Sequence, residues 1–387
     1  MSAPDVTLEP EWSTLLVACS TPAVGDRQAR LQSCLEAPIR WAKLSSLAER
    51  HGLQPLLFQT LQSVEELVPA HEMNSLRQAY QTNLHKAMLL SRELIRIVGH
   101  LSELGVDVMP YKGLALAEAL YGDIALRQAG DIDLLIHPEH LGRVQDAVAK
   151  LGYVPHSRLS DIEEQAQLKS GYECAFDSAT GRNVLEAQWA MLPRFYSVDF
   201  DLKGLFERAM TVEVAGQPMK TPSHADLFLT LSVHAAKHVW GRLVWLCDIA
   251  RLMRLPALDW NWILTEAKEL GVTRILQVTM LAANQLLGVE IPAAALASLP
   301  ADRAAPGLAQ EIQTYIASEA AFNGESVSYF RLMMRLRERR ADRVRFLSRL
   351  ILTPGPGEWR LVRLPRTLFP LYRLVRISRL ASRLVGG

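Results

Sequence analysis

The sequence predicts an α+β protein in which a small mixed β-sheet is flanked by helical regions on its N-terminal and C-terminal sides. Three patterns point to this class. Apolar residues recur at helical steps before residue 100, strand-like and helix-like runs alternate from Leu101 to residue 222, and a helix start at Ser223 opens a second helical stretch reaching Ile316. A chain of 387 residues is long for one domain. It divides into an N-terminal helical region (1–100), an α/β core (101–222), a helical domain (223–330) and a basic segment (331–387).

Each element has its local reason. Trp41, Leu44, Leu47 and Ala48, and later Leu89, Leu90, Leu94 and Ile97, repeat at three- and four-residue steps and read as helix faces. Val106–Tyr111 and Ile132–Ile136 read as strands, with a short helix over Gly113–Leu120 between them and a proline-initiated helix over Pro138–Leu151 after them. Further strands are expected at Tyr172–Asp177 and Val184–Trp189. Gly216 turns Thr211–Val214 back onto Gln217–Lys220 as a hairpin. Ser223 and Asp226 have the spacing of a capping box and open a helix through Val239.

Composition narrows the classes. Hydrophobic residues make up 49% and charged residues 21%, with 22 Gly and 20 Pro, which excludes collagenous and wholly disordered chains. Cys19, Cys34, Cys174 and Cys247 form no Cys-x-x-Cys pair, so neither a disulfide framework nor a cysteine zinc site is expected. The first residues lack a basic, apolar leader, and no apolar run is long enough to span a bilayer, so the expected location is the cytoplasm. P-loop, Gly-x-Gly-x-x-Gly, Gly-x-Ser-x-Gly and His-Glu-x-x-His motifs are absent, which argues against P-loop kinases, Rossmann enzymes and α/β-hydrolases.

The net charge of +1 hides an asymmetry, because residues 331–387 hold 15 Arg, no Lys and three acids. That segment carries +12 and the remainder −11. It reads as an amphipathic segment over Arg343–Leu352 and Arg373–Leu384, broken at Pro354-Gly355-Pro356-Gly357. Three partners suit it: the acidic body of the chain, an anionic partner such as nucleic acid, or an anionic membrane surface. Phe346, Trp359, Phe369 and Tyr372 interleave the arginines, but no nucleic-acid-binding motif accompanies them.

The chemistry concentrates in one stretch, Lys112-Gly113 followed by Arg127 and Asp131-Ile-Asp133-Leu-Leu. Asp131 and Asp133 are two apart on an expected strand, so both carboxylates project from one face. Hard oxygens at that spacing suit Mg²⁺, which takes one or two carboxylates and fills its shell with water and substrate phosphate. Two-metal displacement at phosphorus needs a third acid that also helps activate the attacking hydroxyl, and Glu186 on a neighbouring strand is the candidate. Gly113 opens a helix directly after a strand, where backbone N–H groups can cradle a triphosphate, with Lys112 as an added charge. Arg127 suits either a phosphate or a structural ion pair, and Lys237 is a further candidate for the triphosphate. His234 and His238, one helical turn apart, read as core or rim residues in preference to zinc ligands.

At this point the sequence resembles an uncharacterised nucleotidyltransferase family of bacteria within the DNA polymerase β-like nucleotidyltransferase superfamily. The residues that carry the resemblance are Lys112-Gly113, Leu120-Tyr121, Arg127, Asp131-Ile-Asp133-Leu134-Leu135, Gly152-Tyr153, Glu186 with Trp189, and His234, Lys237, His238, Trp240 and Asp248. The resemblance implies a nucleotidyltransferase core, with Asp131, Asp133 and Glu186 as the catalytic and metal-binding triad for Mg²⁺, two ions in number, and the Lys112-Gly113 turn holding the phosphates. It also implies transfer of a nucleoside monophosphate from an NTP to an acceptor hydroxyl, with release of pyrophosphate. The acceptor, whether small molecule, protein or nucleic acid, is left open. Lys-Gly replaces the superfamily's usual Gly-Ser or Gly-Gly turn, and Gln188 stands where the family often has histidine. A non-catalytic nucleotide-binding or scaffold protein is therefore the alternative.

Overall fold

Four helices, α1 (Pro10–Cys19), α2 (Val24–Leu35), α3 (Trp41–His51) and α4 (Gln54–Leu61), precede the long α5 (Ala70–Glu103). The computed structural model describes residues 9–20, 24–157, 159–181, 183–256, 258–318 and 326–385. No proline interrupts the 34 residues of α5, and its apolar positions serve two cores. Met73 and Leu76 near its start join one hydrophobic cluster, whereas Leu90, Leu94, Ile97 and Leu101 join another. The first cluster also takes Leu15, Leu57, Phe228, Leu246 and Leu276, so helices from both ends of the chain share one interior.

The second cluster lies under a five-stranded mixed sheet. Its strands are β1 (Val108–Pro110), β2 (Ile132–Ile136), β3 (Tyr153–Pro155), β4 (Glu173–Ser178) and β5 (Val184–Gln188), in the order β1-β2-β5-β4-β3. Only the central pair, β2 with β5, is parallel. Helix α6 (Gly113–Tyr121) connects β1 to β2, and α7 (Leu141–Lys150), entered through a 3₁₀ turn at Pro138–His140, leads to β3. Two elements carry no readable periodicity: β3 exposes Val154, and α8 (Asp161–Ser170) buries none of its residues, so it has no apolar stripe and only the Ser160–Glu163 capping box marks its start.

After α9 (Leu202–Glu207), the hairpin of β6 (Met210–Val214) and β7 (Gln217–Thr221) turns through Ala215 and Gly216, both at positive φ, the geometry of a tight two-residue hairpin loop. The Ser223 hydroxyl then accepts the Asp226 N–H at 3.2 Å and caps α10 (His224–Lys237). This helix stops short of Val239, because Val239 and Trp240 take positive φ. Next come α11 (Leu243–Met253), α12 (Trp260–Leu270), α13 (Thr273–Leu287), α14 (Ala293–Ser298), α15 (Ala305–Ala317) and α16 (Val327–Arg335). The basic segment folds as α17 (Arg340–Leu352), α18 (Pro356–Leu361) and α19 (Tyr372–Val385). Among the described residues, no helix is long and apolar enough to cross a membrane.

Strand periodicity decides where the chemistry faces. On β2, Ile132, Leu134 and Ile136 enter the cluster beneath the sheet, while Leu135 enters the cluster of the helical body. Asp133 shares the face of Leu135, so its carboxylate is directed toward the helical half.

Candidate active site

Past β1 the chain delivers Lys112 to the edge of a cavity of about 330 Å³, bounded by the sheet on one side and by α10 and α11 on the other. Gly113 starts α6 with φ +51°, and a Cβ added there would sit 3.4 Å from the Asp131 carbonyl oxygen. The turn thus packs against the backbone that carries the acidic pair, and its positive φ is a conformation that favours glycine over other residues. Asp131 stands one residue before β2, and Asp133 lies within it. Across the parallel pair, Asp133 is in register with Glu186 on β5.

Hydrogen bonds fix this floor. Asp133 is buried, and its Oδ1 accepts from Lys112 Nζ at 3.2 Å and from Gln188 Nε2 at 3.1 Å. The same Gln188 nitrogen donates to Glu186 Oε2 at 2.9 Å, and its carbonyl accepts the Tyr111 hydroxyl at 2.6 Å. One amide, oriented by a buried tyrosine, therefore holds two carboxylates.

The acids are under electrostatic stress. Burial, then the charges of Asp133, Glu173 and Asp131, pushes the Glu186 carboxyl up to about 8. Asp131 is also raised, by burial and by Asp133. Burial works against the charge of Lys112, but Asp133 and Tyr111 outweigh it and hold the ammonium above its ordinary range. Opposite, on α10, burial lowers Lys237 to about 8 even though Glu173 opposes the shift. Lys237 donates to the Tyr172 hydroxyl at 2.9 Å and sits 4.4 Å from the centre of that ring.

His234 and His238 stand beside Lys237 at the cavity wall and rim, each with its ring 5.3 Å from Trp245. Desolvation and the neighbouring lysines keep His234 well below its ordinary pKa and lower His238 to about 4, so both are neutral at pH 7. Arg127 borders the cavity too, but its Nε and one terminal nitrogen fork onto the buried Asp248 of α11 at 3.0–3.1 Å. Asp248 also accepts the Tyr121 hydroxyl at 2.8 Å, so this ion pair links the β2 approach to the helical wall.

All seven residues singled out from sequence, Lys112, Gly113, Arg127, Asp131, Asp133, Glu186 and Lys237, line this one cavity. Sequence reading missed Glu173, Tyr172 and Trp245. Glu173 had no usable local signal, because its place depends on being cross-strand from Gln188 and on the face of Glu186. For a metal, the donor chemistry fits a hard divalent cation: oxygen ligands from adjacent strands whose proton affinities rise through burial and then through mutual repulsion. Among the described residues, no three His, Cys, Asp or Glu side chains already converge as a ligand set. A cavity of about 600 Å³ on the far helices lacks such chemistry, since its Arg274 and Asp302 are paired at 2.6 Å.

A small mixed sheet with an acidic pair beside Lys112 and a glycine turn, faced by Lys237 from a helical half, fits the nucleotidyltransferase class. Residues 37–288, more than half of the chain, match the model of the uncharacterised nucleotidyltransferase family, and the chain belongs to that family. Among solved structures, it is similar to the antibiotic-resistance factor ANT(2'')-Ia in solution, at 17% identity over 58% of this chain and 92% of that one, with a TM-score of 0.27. It is also similar to an antigenic nucleotidyltransferase-like protein from Paracoccidioides brasiliensis, at 16% identity over 54% of this chain and 95% of that one, with a TM-score of 0.34. No curated protein matches it.

Proposed function

We propose that this chain transfers a nucleoside monophosphate from an NTP to an acceptor hydroxyl in a Mg²⁺-dependent reaction, as a cytoplasmic member of the DNA polymerase β-like superfamily. The observation that carries the reading is the register of Asp133 with Glu186 on parallel strands, beside the Gly113 turn and Asp131. Asp131 and Asp133 would hold the metal, with Glu186 completing the set for a second ion. Bound Mg²⁺ supplies charge neutralisation on the triphosphate and alignment of the attacking and leaving oxygens.

The chain's own groups do the rest. Lys112 and the first N–H groups of α6 bind phosphate oxygens, and Lys237 approaches from the opposite wall. Glu186, whose surroundings raise its affinity for a proton, takes the proton of the acceptor hydroxyl. The acceptor oxygen bonds to the α-phosphorus, the bond from that phosphorus to the bridging oxygen breaks, and pyrophosphate leaves. Arg127 acts chiefly through Asp248, fixing the loop before Asp131.

A second reading has its own observation. Lys112 and Gln188 both donate to Asp133 Oδ1, so protein groups already satisfy the oxygen a metal needs. This suits a nucleotide-binding scaffold without turnover. Pyrophosphate release and thermal shift with each NTP, with and without Mg²⁺, on wild type and Asp133→Asn, separate the two. The expected result is Mg²⁺-dependent stabilisation by one NTP, about 2.7 kcal/mol at 100 times its Kd, and turnover that falls at least about 100-fold in Asp133→Asn. Nucleotide binding without pyrophosphate release across small-molecule, protein and nucleic-acid acceptors would establish the scaffold.

A further inference from the structure

The basic segment has turned its aromatic residues inward and its aliphatic residues outward. Trp359 and Tyr372 are buried against a half-buried Phe369, with ring centres 5.0–6.0 Å apart, and Phe346 on α17 is fully buried. By contrast, ten of the 17 exposed large aliphatic or methionine side chains among the described residues fall between Val344 and Ile377. Seven are spread over the rest of the described chain, so the concentration is specific to this segment.

The exposed aliphatics form stripes. On α17, Val344, Leu347 and Ile351 recur at i, i+3 and i+7 on the face away from Phe346 and Leu350, with the exposed Arg340 heading the same stripe. On α19, Leu374 and Ile377 share the outer face with the exposed Arg373, while Tyr372 is turned in. The two helices pack on each other. The connection between them adds the exposed Leu361, Val362, Arg363 and Arg366.

Some of the positive charge is used internally. Arg376 and Arg379 pair with the buried Glu358 at 3.2 and 2.8 Å, and Arg349 reaches Asp199 of the body at 3.0 Å. The Glu358 pairs hold α19 against α18, and the Arg349–Asp199 pair ties α17 to the body. They leave a surface on which arginines and aliphatic side chains alternate and on which acids are scarce.

We infer that this face, built from α17, the α18–α19 connection and α19, docks on an anionic lipid bilayer. Aliphatic side chains enter the boundary between headgroups and acyl chains, and guanidinium groups bind the lipid phosphates. Single-stranded nucleic acid is the poorer fit, because its bases need exposed aromatic platforms, and here the aromatics are spent on the segment's own interior. A second copy of the chain fits poorly as well, since two segments of +12 repel. The face is separate from the cavity of Asp133, so this inference stands or falls independently of nucleotidyl transfer.

Co-sedimentation of the full chain with phosphatidylglycerol–phosphatidylcholine vesicles, and with phosphatidylcholine vesicles alone, tests it. Expected is binding to the anionic vesicles that weakens with salt and is at least about tenfold weaker on the neutral ones. Leu374→Gln with Ile377→Gln should cut binding about tenfold or more, and Arg363→Gln, Arg366→Gln and Arg373→Gln together about 100-fold. All five positions are exposed, and an unchanged thermal transition verifies that each variant is folded. The inference is overturned by absence of binding to anionic vesicles, by equal and salt-insensitive binding to neutral ones, or by variants that bind like wild type. Retention on single-stranded DNA or RNA without vesicle binding, or a dimer that Leu374→Gln with Ile377→Gln dissolves, would reassign the face to that partner.

Discussion

Asp248 and Asp133 are buried carboxylates on opposite sides of the same site, and their surroundings treat them in opposite ways. Asp248, on the helical wall, receives the fork of Arg127 and the hydroxyl of Tyr121. Asp133, on the sheet, receives one ammonium and one amide, with Asp131 and Glu186 adding like charge beside it. A carboxylate with a full guanidinium fork is structurally satisfied. One that shares a lysine with two other acids retains affinity for a further cation, and that surplus is what chemistry on phosphates requires.

The contrast can be broken first at the paired side. Asp248→Asn leaves the buried Arg127 without its counter-charge and should cost about 3–5 kcal/mol. Calorimetry should record this as a fall in Tm of about 5 °C, whereas Asp133→Asn, which relieves repulsion, should lower Tm little or not at all. Equal losses in the two variants would erase the distinction.

Glu186→Gln sharpens the other side. Because the folded protein holds this carboxyl near 8 against an ordinary 4.5, the folded state binds more protons between those values. Its contribution to stability is complete below pH 4.5 and is lost as pH rises through about 8. In a chelator, Glu186→Gln should therefore melt about 3 °C above wild type at pH 8, with the gap closing toward pH 4.5. Mg²⁺ should stabilise wild type and leave the variant nearly unchanged.

The smallest effect is expected at Lys237. Burial lowers its ammonium to about 8 from 10.5, so the unfolded chain binds more protons between these values and stability rises with pH across that window. Lys237→Met should flatten that rise, a difference of about 1–2 °C in melts at pH 8 and pH 10. An unchanged slope would mean that Lys237 is solvated in the folded protein.

Much of the core was legible because its signals are local. Ile132–Ile136 matches the expected strand residue for residue, and Gly113 opens its helix as the strand-to-helix transition required. The hairpin at Gly216 and the cap at Ser223 follow from turn and capping chemistry that involve only near neighbours. Helix α8 and strand β3 were passed over, because neither carries a buried periodic face, although the Ser160–Glu163 capping box marks where α8 starts. Glu173 was missed for a different reason: its importance lies in its register opposite Gln188, which no local pattern encodes.

By itself, the sequence determined the α+β class, the Lys-Gly and Asp-x-Asp pieces, and the charge asymmetry of the chain. These depend on residue type and on periodicities of two and 3.6, both properties of short segments. Tertiary structure alone decided that Asp133 and Glu186 lie side by side, that Arg127 spends its fork on Asp248, and that the basic segment hides its aromatics and presents its aliphatics. The first two join residues far apart in the chain and the third depends on which side of the segment faces the rest of the protein; such choices are made by how strands register and cores fill, so they come into being only when the whole chain packs.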